Sequence, residues 1–222
     1  MPGDVLLAID TATDAVSVAV GPIDGPPTGL SVPTDRRHGE MLVPAIRDLL
    51  DATGIATHDV DGIVVGVGPG LFTGLRVGVT TAKTMARALR IPLVGVSSLA
   101  ALAASVVAPR VAAVIDARRD EVFWACFQHG ERRSPDRVDA PEVVAGVLEP
   151  PAVLAGDGAH RYANRLVRAG LTLSEVKALD PTALLELGAF ALQRDGEADA
   201  GDVVPNYLRR TDAEIAWDRR SA

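Results

Sequence analysis

The 222-residue chain is 48% apolar and 23% charged, with a formal charge of −7 and a single cysteine. This balance excludes an intrachain disulfide and a disordered chain, and an acidic protein with 4% aromatic residues is poorly equipped to grip nucleic acid by itself. No apolar run reaches the about 18 residues of a membrane span, and the start at Met1 and Pro2 lacks the basic and apolar regions of a signal peptide, so the expectation is a cytoplasmic protein with no membrane partner.

Residues 5–10 read as a buried strand ending at Asp10. Val16, Val18 and Val20 then alternate with Ala15, Ser17 and Ala19, as a hairpin strand with one packed face should. Residues 30–32 suit a third strand. Leu42, Ile46, Leu49 and Leu50 repeat at helical spacing over residues 40–51, with Pro44 expected in the first turn or at a kink. A β-branched strand over residues 62–67, a helix over 73–89, a strand over 93–96 and a helix over 97–107 follow, the last capped by Ser97 or Ser98. Beyond Pro109 come strands near 111–115 and 121–127, a helix at 141–148, a strand near 152–155, and helices at 159–168 and 181–194. The polar tail after Gly201 is expected against the surface, anchored by Tyr207 and Leu208.

Residues 5–19 recur 106 positions later as residues 111–125, with six of fifteen identical. Each copy is a strand, an aspartate at its end (Asp10, Asp116), a short turn and a second strand. Strands followed by helices, twice over, predict two α/β layers facing each other across a cleft. The boundary falls near residue 108, giving units of residues 1–108 and 109–222.

The strongest local feature runs from Gly66 to Gly78, after a strand and into a helix. It fits neither the P-loop pattern nor the dinucleotide fingerprint, because no register places a lysine or the third glycine correctly. Gly70, Gly74, Gly78, Ala82 and Ala86 instead repeat every four residues, a smooth helical stripe. A glycine inside a helix costs about 1 kcal/mol against alanine, so close approach must offset Gly74 and Gly78. Close packing inside the domain, a subunit interface and anion binding are the open readings, and the first two are compatible.

Asp10, Thr11, Ala12 and Thr13 occupy the turn equivalent to Asp116, Ala117, Arg118 and Arg119. In phosphotransferases of duplicated architecture such turns bind phosphate and metal and need glycine at the third position, where Ala12 and Arg118 stand here. The turns therefore look vestigial, each aspartate satisfying turn N–H groups. Gly156, Asp157 and Gly158 suit an adenosine-side turn or a plain one. His38, His58, His129 and His160 make no metal-ligand spacing, Cys126 reads as a core residue, and no nucleophile elbow is present. Twenty arginines against two lysines include five adjacent pairs, at 36–37, 118–119, 132–133, 209–210 and 219–220. These read as a solvated face first and as part of an anionic partner's site second.

The stretch from Gly66 to Ala86 closely resembles the TsaB family, the non-catalytic dimerisation subunits of bacterial tRNA threonylcarbamoyladenosine (t6A) biosynthesis. Residues 7–13, residues 37–44 and residues 205–209 support the resemblance, which runs the length of the chain and is densest over residues 5–105. It implies a duplicated ribonuclease-H-like α/β fold of the actin, Hsp70 and sugar-kinase (ASKHA) class. It implies a scaffold that binds the paralogue TsaD and supports threonylcarbamoyl transfer to N6 of adenosine 37 in ANN-decoding tRNA. TsaE, an ATPase, is an implied partner, as is a homodimer in the absence of TsaD, with tRNA reached only through the complex. The implied partner surface lies on the helices at 40–51 and 73–89: Met41, Val43, Ala45, Gly70, Thr73, Gly74, Val77, Gly78, Thr81, Ala82 and Met85, the glycine stripe letting partner helices pack closely. TsaD carries two metal-binding histidines four apart; Ser98 and Leu102 stand at those positions here. The resemblance therefore implies no catalytic residue, no metal and no cofactor. The alternatives are a small ATP-dependent phosphotransferase of the same fold, using Asp10 and Asp116 with Mg²⁺, and a homodimer with a separate regulatory role.

Overall fold

The structure, a computed structural model, describes residues 4–34, 37–195 and 201–209. The first sheet has the order β3-β2-β1-β4-β5, from β1 (Val5–Asp10), β2 (Ala15–Pro22), β3 (Thr28–Pro33), β4 (Gly62–Gly66) and β5 (Leu93–Val96). The hairpin strands are antiparallel and β4 and β5 run parallel to β1. Parallel strands need crossovers, supplied by α1 (His38–Thr53) before β4 and α2 (Phe72–Leu89) before β5. Both helices cover one face, where Leu42, Ile46, Leu49, Val79 and Ala82 meet Leu7, Ile9, Val18 and Val65 in one apolar cluster.

The second sheet comprises β6 (Arg110–Arg118), β7 (Glu121–Gln128), β8 (Glu131–Arg132), β9 (Arg137–Asp139), β10 (Ala152–Ala155) and β11 (Leu171–Leu173). Its order is β11-β10-β6-β7-β8, with β9 also on β7. Read from β9 through β7, β6 and β10 to β11, it repeats the first sheet strand for strand. The β6–β7 pairing is antiparallel, like β1–β2, and β10 and β11 run parallel to β6. The sequence echo is a duplication of topology. The outer face carries α4 (Pro141–Val147), α5 (Asp157–Arg161) and α6 (Ala163–Leu166).

The remaining helices, α3 (Ser98–Ala104) and α7 (Pro181–Asp195), pack on each other between the two sheets. Their apolar faces share one cluster with residues of both, from Leu6 and Val64 to Ile115 and Phe127. Thus α7, near the end of the chain, crosses back to pack on β1 and β2, and Gly188 sits so close to Val64 that a Cβ there would lie 2.2 Å from its side chain.

Several expectations change. The first long helix starts at His38, two residues before the expected start, so Pro44 lies inside it, past the first turn. The helix after β5 ends at Ala104, three residues short of the expected 107, and Ser97, not Ser98, is its cap, accepting the Ala100 N–H at 3.3 Å. The helix expected over 159–168 is two short ones broken at Tyr162, whose backbone leaves the helical region. The short strands β8, β9 and β11 carry too few alternating residues to show in the sequence. Beyond Gly201 the described segment does more than lie on the surface. Val203 is buried, Asn206 N–H donates to Val67 O at 2.7 Å, and Asn206 Nδ2 donates to Asp136 Oδ2 at 2.8 Å, joining the two halves. Tyr207 stacks on Phe72 with ring centroids 5.0 Å apart, the anchoring role expected of it.

Candidate functional site

Most polar groups of the turn after β1 are bonded by the chain's own residues, Asp14 Oδ1 being buried without a partner. Asp10 is fully buried; its Oδ1 accepts the Ala12 N–H at 2.8 Å and its Oδ2 the Ser98 hydroxyl at 2.5 Å. Ser98 Oγ in turn accepts the Gly68 N–H at 3.1 Å. Burial pushes the Asp10 carboxyl above its ordinary range, against these two hydrogen bonds and the nearby His38, which favour the ionised form. Thr11 Oγ1 donates to Gly74 O at 2.7 Å, and Leu71 N–H donates to Ala12 O at 2.8 Å. His38, at the start of α1, is buried and places Nε2 2.6 Å from Thr13 O, so Nε2 carries the proton.

That turn is what the glycine stripe accommodates. A Cβ on Gly70 would lie 2.4 Å from Ala12 O, on Gly74 2.1 Å from Thr11 O, and on Gly78 2.3 Å from Thr11 Oγ1. The expectation that the stripe lets a partner helix pack closely is therefore corrected: the room is filled by the chain's own β1–β2 turn. Ala45, Gly74, Gly78 and Ala82 are buried inside, and Gly70 is half-buried.

In the second half, Asp116 lies in the matching place. Its Oδ1 accepts the Arg118 N–H at 2.9 Å and its Oδ2 the Arg118 Nη1 at 3.0 Å. Arg118 Nη2 reaches across to Asp14 Oδ2 in the first half. The third position of the second turn thus holds a guanidinium between the two turns, and Ala12, its counterpart, is covered by Gly70. Asp157 accepts the N–H groups of Asp116 at 3.0 Å and Gly158 at 2.8 Å, and burial pushes its carboxyl up to about 6, with neighbouring Asp116 adding in the same direction. Gly156 and Gly158 let α5 lie on β6, since a Cβ on either would fall within 2.7 Å of the β6 backbone.

The outer faces of α1 and α2 form an apolar groove of about 560 Å³, floored by Ile46 and Leu50 and walled by Val43, Ile55, Thr81 and Met85. Val43 is 62% exposed and forms part of a continuous apolar lining. Of the residues expected at a partner surface, Val43, Thr81 and Met85 meet here. Met41 and Val77 are half-buried against the core beneath, and Thr73 is exposed on the cleft between the halves. The sequence reading missed Ile46 and Leu50, which the helical periodicity marked as core, and Ile55 beyond the helix. Ile46 and Leu50 are core residues whose outer edges also floor the groove.

A family model described as TsaD, tRNA N6-adenosine threonylcarbamoyltransferase, matches residues 28–179. The tRNA threonylcarbamoyladenosine biosynthesis protein TsaB of Escherichia coli (strain K12) is 32% identical over 230 residues, covering 96% of this chain and 97% of that protein. The chain belongs to the TsaB family. Among solved structures, YeaZ from Pseudomonas aeruginosa superposes with a TM-score of 0.82 at 38% identity, over 92% of this chain and 100% of that one. The duplicated ribonuclease-H-like fold of the actin-like class stands accordingly. The catalytic name recurs on a shorter scale: 61 residues, 28% of this chain and 18% of the other, are 49% identical to tRNA N6-adenosine threonylcarbamoyltransferase of Trichlorobacter lovleyi.

Within this TsaB-family chain, the two positions compared with metal-binding histidines are both interior. Ser98 is spent on Asp10, and Leu102 packs against Gly156 in the shared core. Among the described residues, no group of three or more His, Cys, Asp or Glu could hold a metal ion. Among the same residues, no helix is long and apolar enough to cross a membrane. Cys126 is half-buried beside Trp124 rather than wholly in the core, and burial raises its thiol pKa. Of the arginine pairs, Arg118, Arg132, Arg133 and Arg209 are ion-paired, Arg132 to Asp136 and Arg133 to Glu131, while Arg36, Arg210, Arg219 and Arg220 lie outside the described residues.

Proposed function

We propose that this chain is a non-catalytic subunit that binds TsaD through the α1–α2 groove and supports threonylcarbamoyl transfer to N6 of adenosine 37 in ANN-decoding tRNA. The carrying observation is the groove itself. An apolar channel with Val43 62% exposed lies on the helix pair, while the aspartate turns are occupied by the chain's own groups. Apolar surface of this kind is stabilised by a partner that removes it from water. The naming of TsaB relatives for t6A biosynthesis supplies the pathway. The stretch shared with a threonylcarbamoyltransferase supports a related chain as partner. In this reading TsaE joins the TsaBD pair, tRNA is contacted through the complex, the protein is cytoplasmic, and without TsaD the same groove pairs two copies as a homodimer. Residues 1–108 form the partner-binding unit and residues 109–222 the second, with α7 crossing back between them.

The test is Val43→Glu, which places a charge on the groove wall without entering the core. TsaD of the same organism should co-elute with the parent chain, and Val43→Glu should fold normally yet lose both co-elution and t6A formation in the reconstituted system. A Val43→Glu chain that binds TsaD and supports full activity overturns the groove assignment. The phosphotransferase alternative fails on the same chain if calorimetry with ATP and Mg²⁺ gives no heat; micromolar binding would revive it.

A further inference from the structure

Three features meet at the mouth of the cleft between the halves. The first is the bridge from Arg118 to Asp14 and Asp116, which joins the β6–β7 turn to the β1–β2 turn. Asp116 is held in place from behind. Its side chain is 4% exposed, Tyr162 OH donates to its Oδ1 at 3.4 Å, and Arg161 lies 3.5 Å from its Oδ2. Burial alone would lower the Arg118 pKa, but Asp14 and Asp116 more than offset it, so the guanidinium stays charged.

The second feature is backbone. Arg118, Arg119 and Asp120 have φ of 63°, 54° and 58°, three consecutive non-glycine residues in the left-handed region. Each such residue costs of order 1 kcal/mol, and strain of this kind persists only where surrounding contacts over-determine it. The first repeat reaches the same point differently, for no residue from Thr11 to Asp14 has positive φ. From this turn the Arg118 side chain reaches Asp116 in its own half and Asp14 in the other.

The third feature is the segment over residues 203–209, which runs between the halves beside Arg118. Asn206 bonds to both, Arg76 Nε on α2 donates to Tyr207 OH at 3.3 Å, and Arg209 donates to Ala117 O at 2.8 Å just before Arg118.

We infer that the two halves are clasped from within, beside a cleft of about 340 Å³ that stays open: Arg118 is an internal tether that locks them in one arrangement, with residues 203–209 as the second strap. The guanidinium lies between the carboxylates of the two turns. The clasp has a mechanical consequence. Asp14 belongs to the turn that Gly74 and Gly78 seat on α2, so Arg118 fixes the outer helix pair relative to the second half. This inference does not depend on which partner, if any, binds the groove.

The test is a double-mutant cycle with Arg118→Ala and Asp14→Ala, read by urea unfolding. It is joined to the distance between spin labels at exposed Asp48 on α1 and Asn164 on α6, in a Cys126→Ser background. A clasp predicts that each single variant raises the unfolding constant about tenfold and that the double variant is no worse than the weaker single, within about twofold. It also predicts a broadened or lengthened label distance in both singles. Millimolar methylguanidinium should restore the narrow distance in Arg118→Ala but not in Asp14→Ala. Additive losses with an unchanged distance overturn the clasp. If Arg118→Ala does not fold, Asp14→Asn carries the test through the distance alone: broadening supports the clasp and the parent distribution overturns it.

Discussion

Gly74 and Thr11 stand in such close contact that a Cβ on the glycine would lie 2.1 Å from the threonine's carbonyl oxygen. Gly74 O meanwhile accepts the Thr11 hydroxyl at 2.7 Å. The helix backbone and the turn backbone touch, and the helix penalty of glycine, about 1 kcal/mol, is offset by the hydrogen bond and the close packing it allows. Gly74→Ala should therefore destabilise the chain by roughly 2–4 kcal/mol through forced displacement of the turn. Gly39, also helical, has nothing within 4 Å of a built Cβ, so Gly39→Ala should stabilise by about 0.5–1 kcal/mol. Urea denaturation of the two variants checks both signs.

Ser98 serves both Asp10 and the loop after β4. Ser98→Ala leaves Asp10 Oδ2 without its donor, with only the Ala12 N–H on Oδ1, and the Gly68 N–H without its acceptor. The expected loss is roughly 2–3 kcal/mol at neutral pH. Because an uncompensated carboxylate gains a proton more readily, the loss should shrink on acidification. Denaturation midpoints at pH 7 and pH 5 test this; equal losses at both would show that the hydroxyl does not stabilise the ionised form.

The buried carboxyl of Asp157 makes stability depend on pH in a defined direction. With a folded pKa of about 6 against an ordinary 3.8, the native state holds more protons than the unfolded one between these values. Its contribution is fully present below pH 3.8 and is lost as pH rises through about 6. Asp157→Asn keeps the acceptor oxygen for the Asp116 and Gly158 N–H groups while removing the titration. Denaturant midpoints across pH 4–7 should therefore fall less steeply for the variant than for the parent chain.

Cys126 should behave as a sheltered thiol. Burial raises its pKa and so reduces the reactive thiolate. Its reaction with an aromatic disulfide at pH 8 should be at least about tenfold slower in the native chain than in urea. Equal rates would place the thiol in open solvent.

Strand and helix periodicity, the repeated aspartate-ended hairpin and the α1–α2 pair were legible from local pattern. An apolar residue every second or every third to fourth position states which face is buried, and a recurring strand-turn-strand states that topology is duplicated. The stripe from Gly70 to Ala86 was legible as a demand for close approach, but its neighbour was not, because periodicity carries no information about what covers a face. The same limit explains Arg118. Its failure to match a phosphate turn showed in the sequence, while its contact with Asp14, 104 positions away, arises only once both sheets have closed on α3 and α7. It explains α7 as well, which reads as a helix of the second half and packs on the first sheet. Local spacing therefore determined the elements and the duplication, and resemblance of the Gly66 to Ala86 stretch pointed to the family. Tertiary closure decided which helix faces were consumed inside the chain and which, around Val43, stayed exposed.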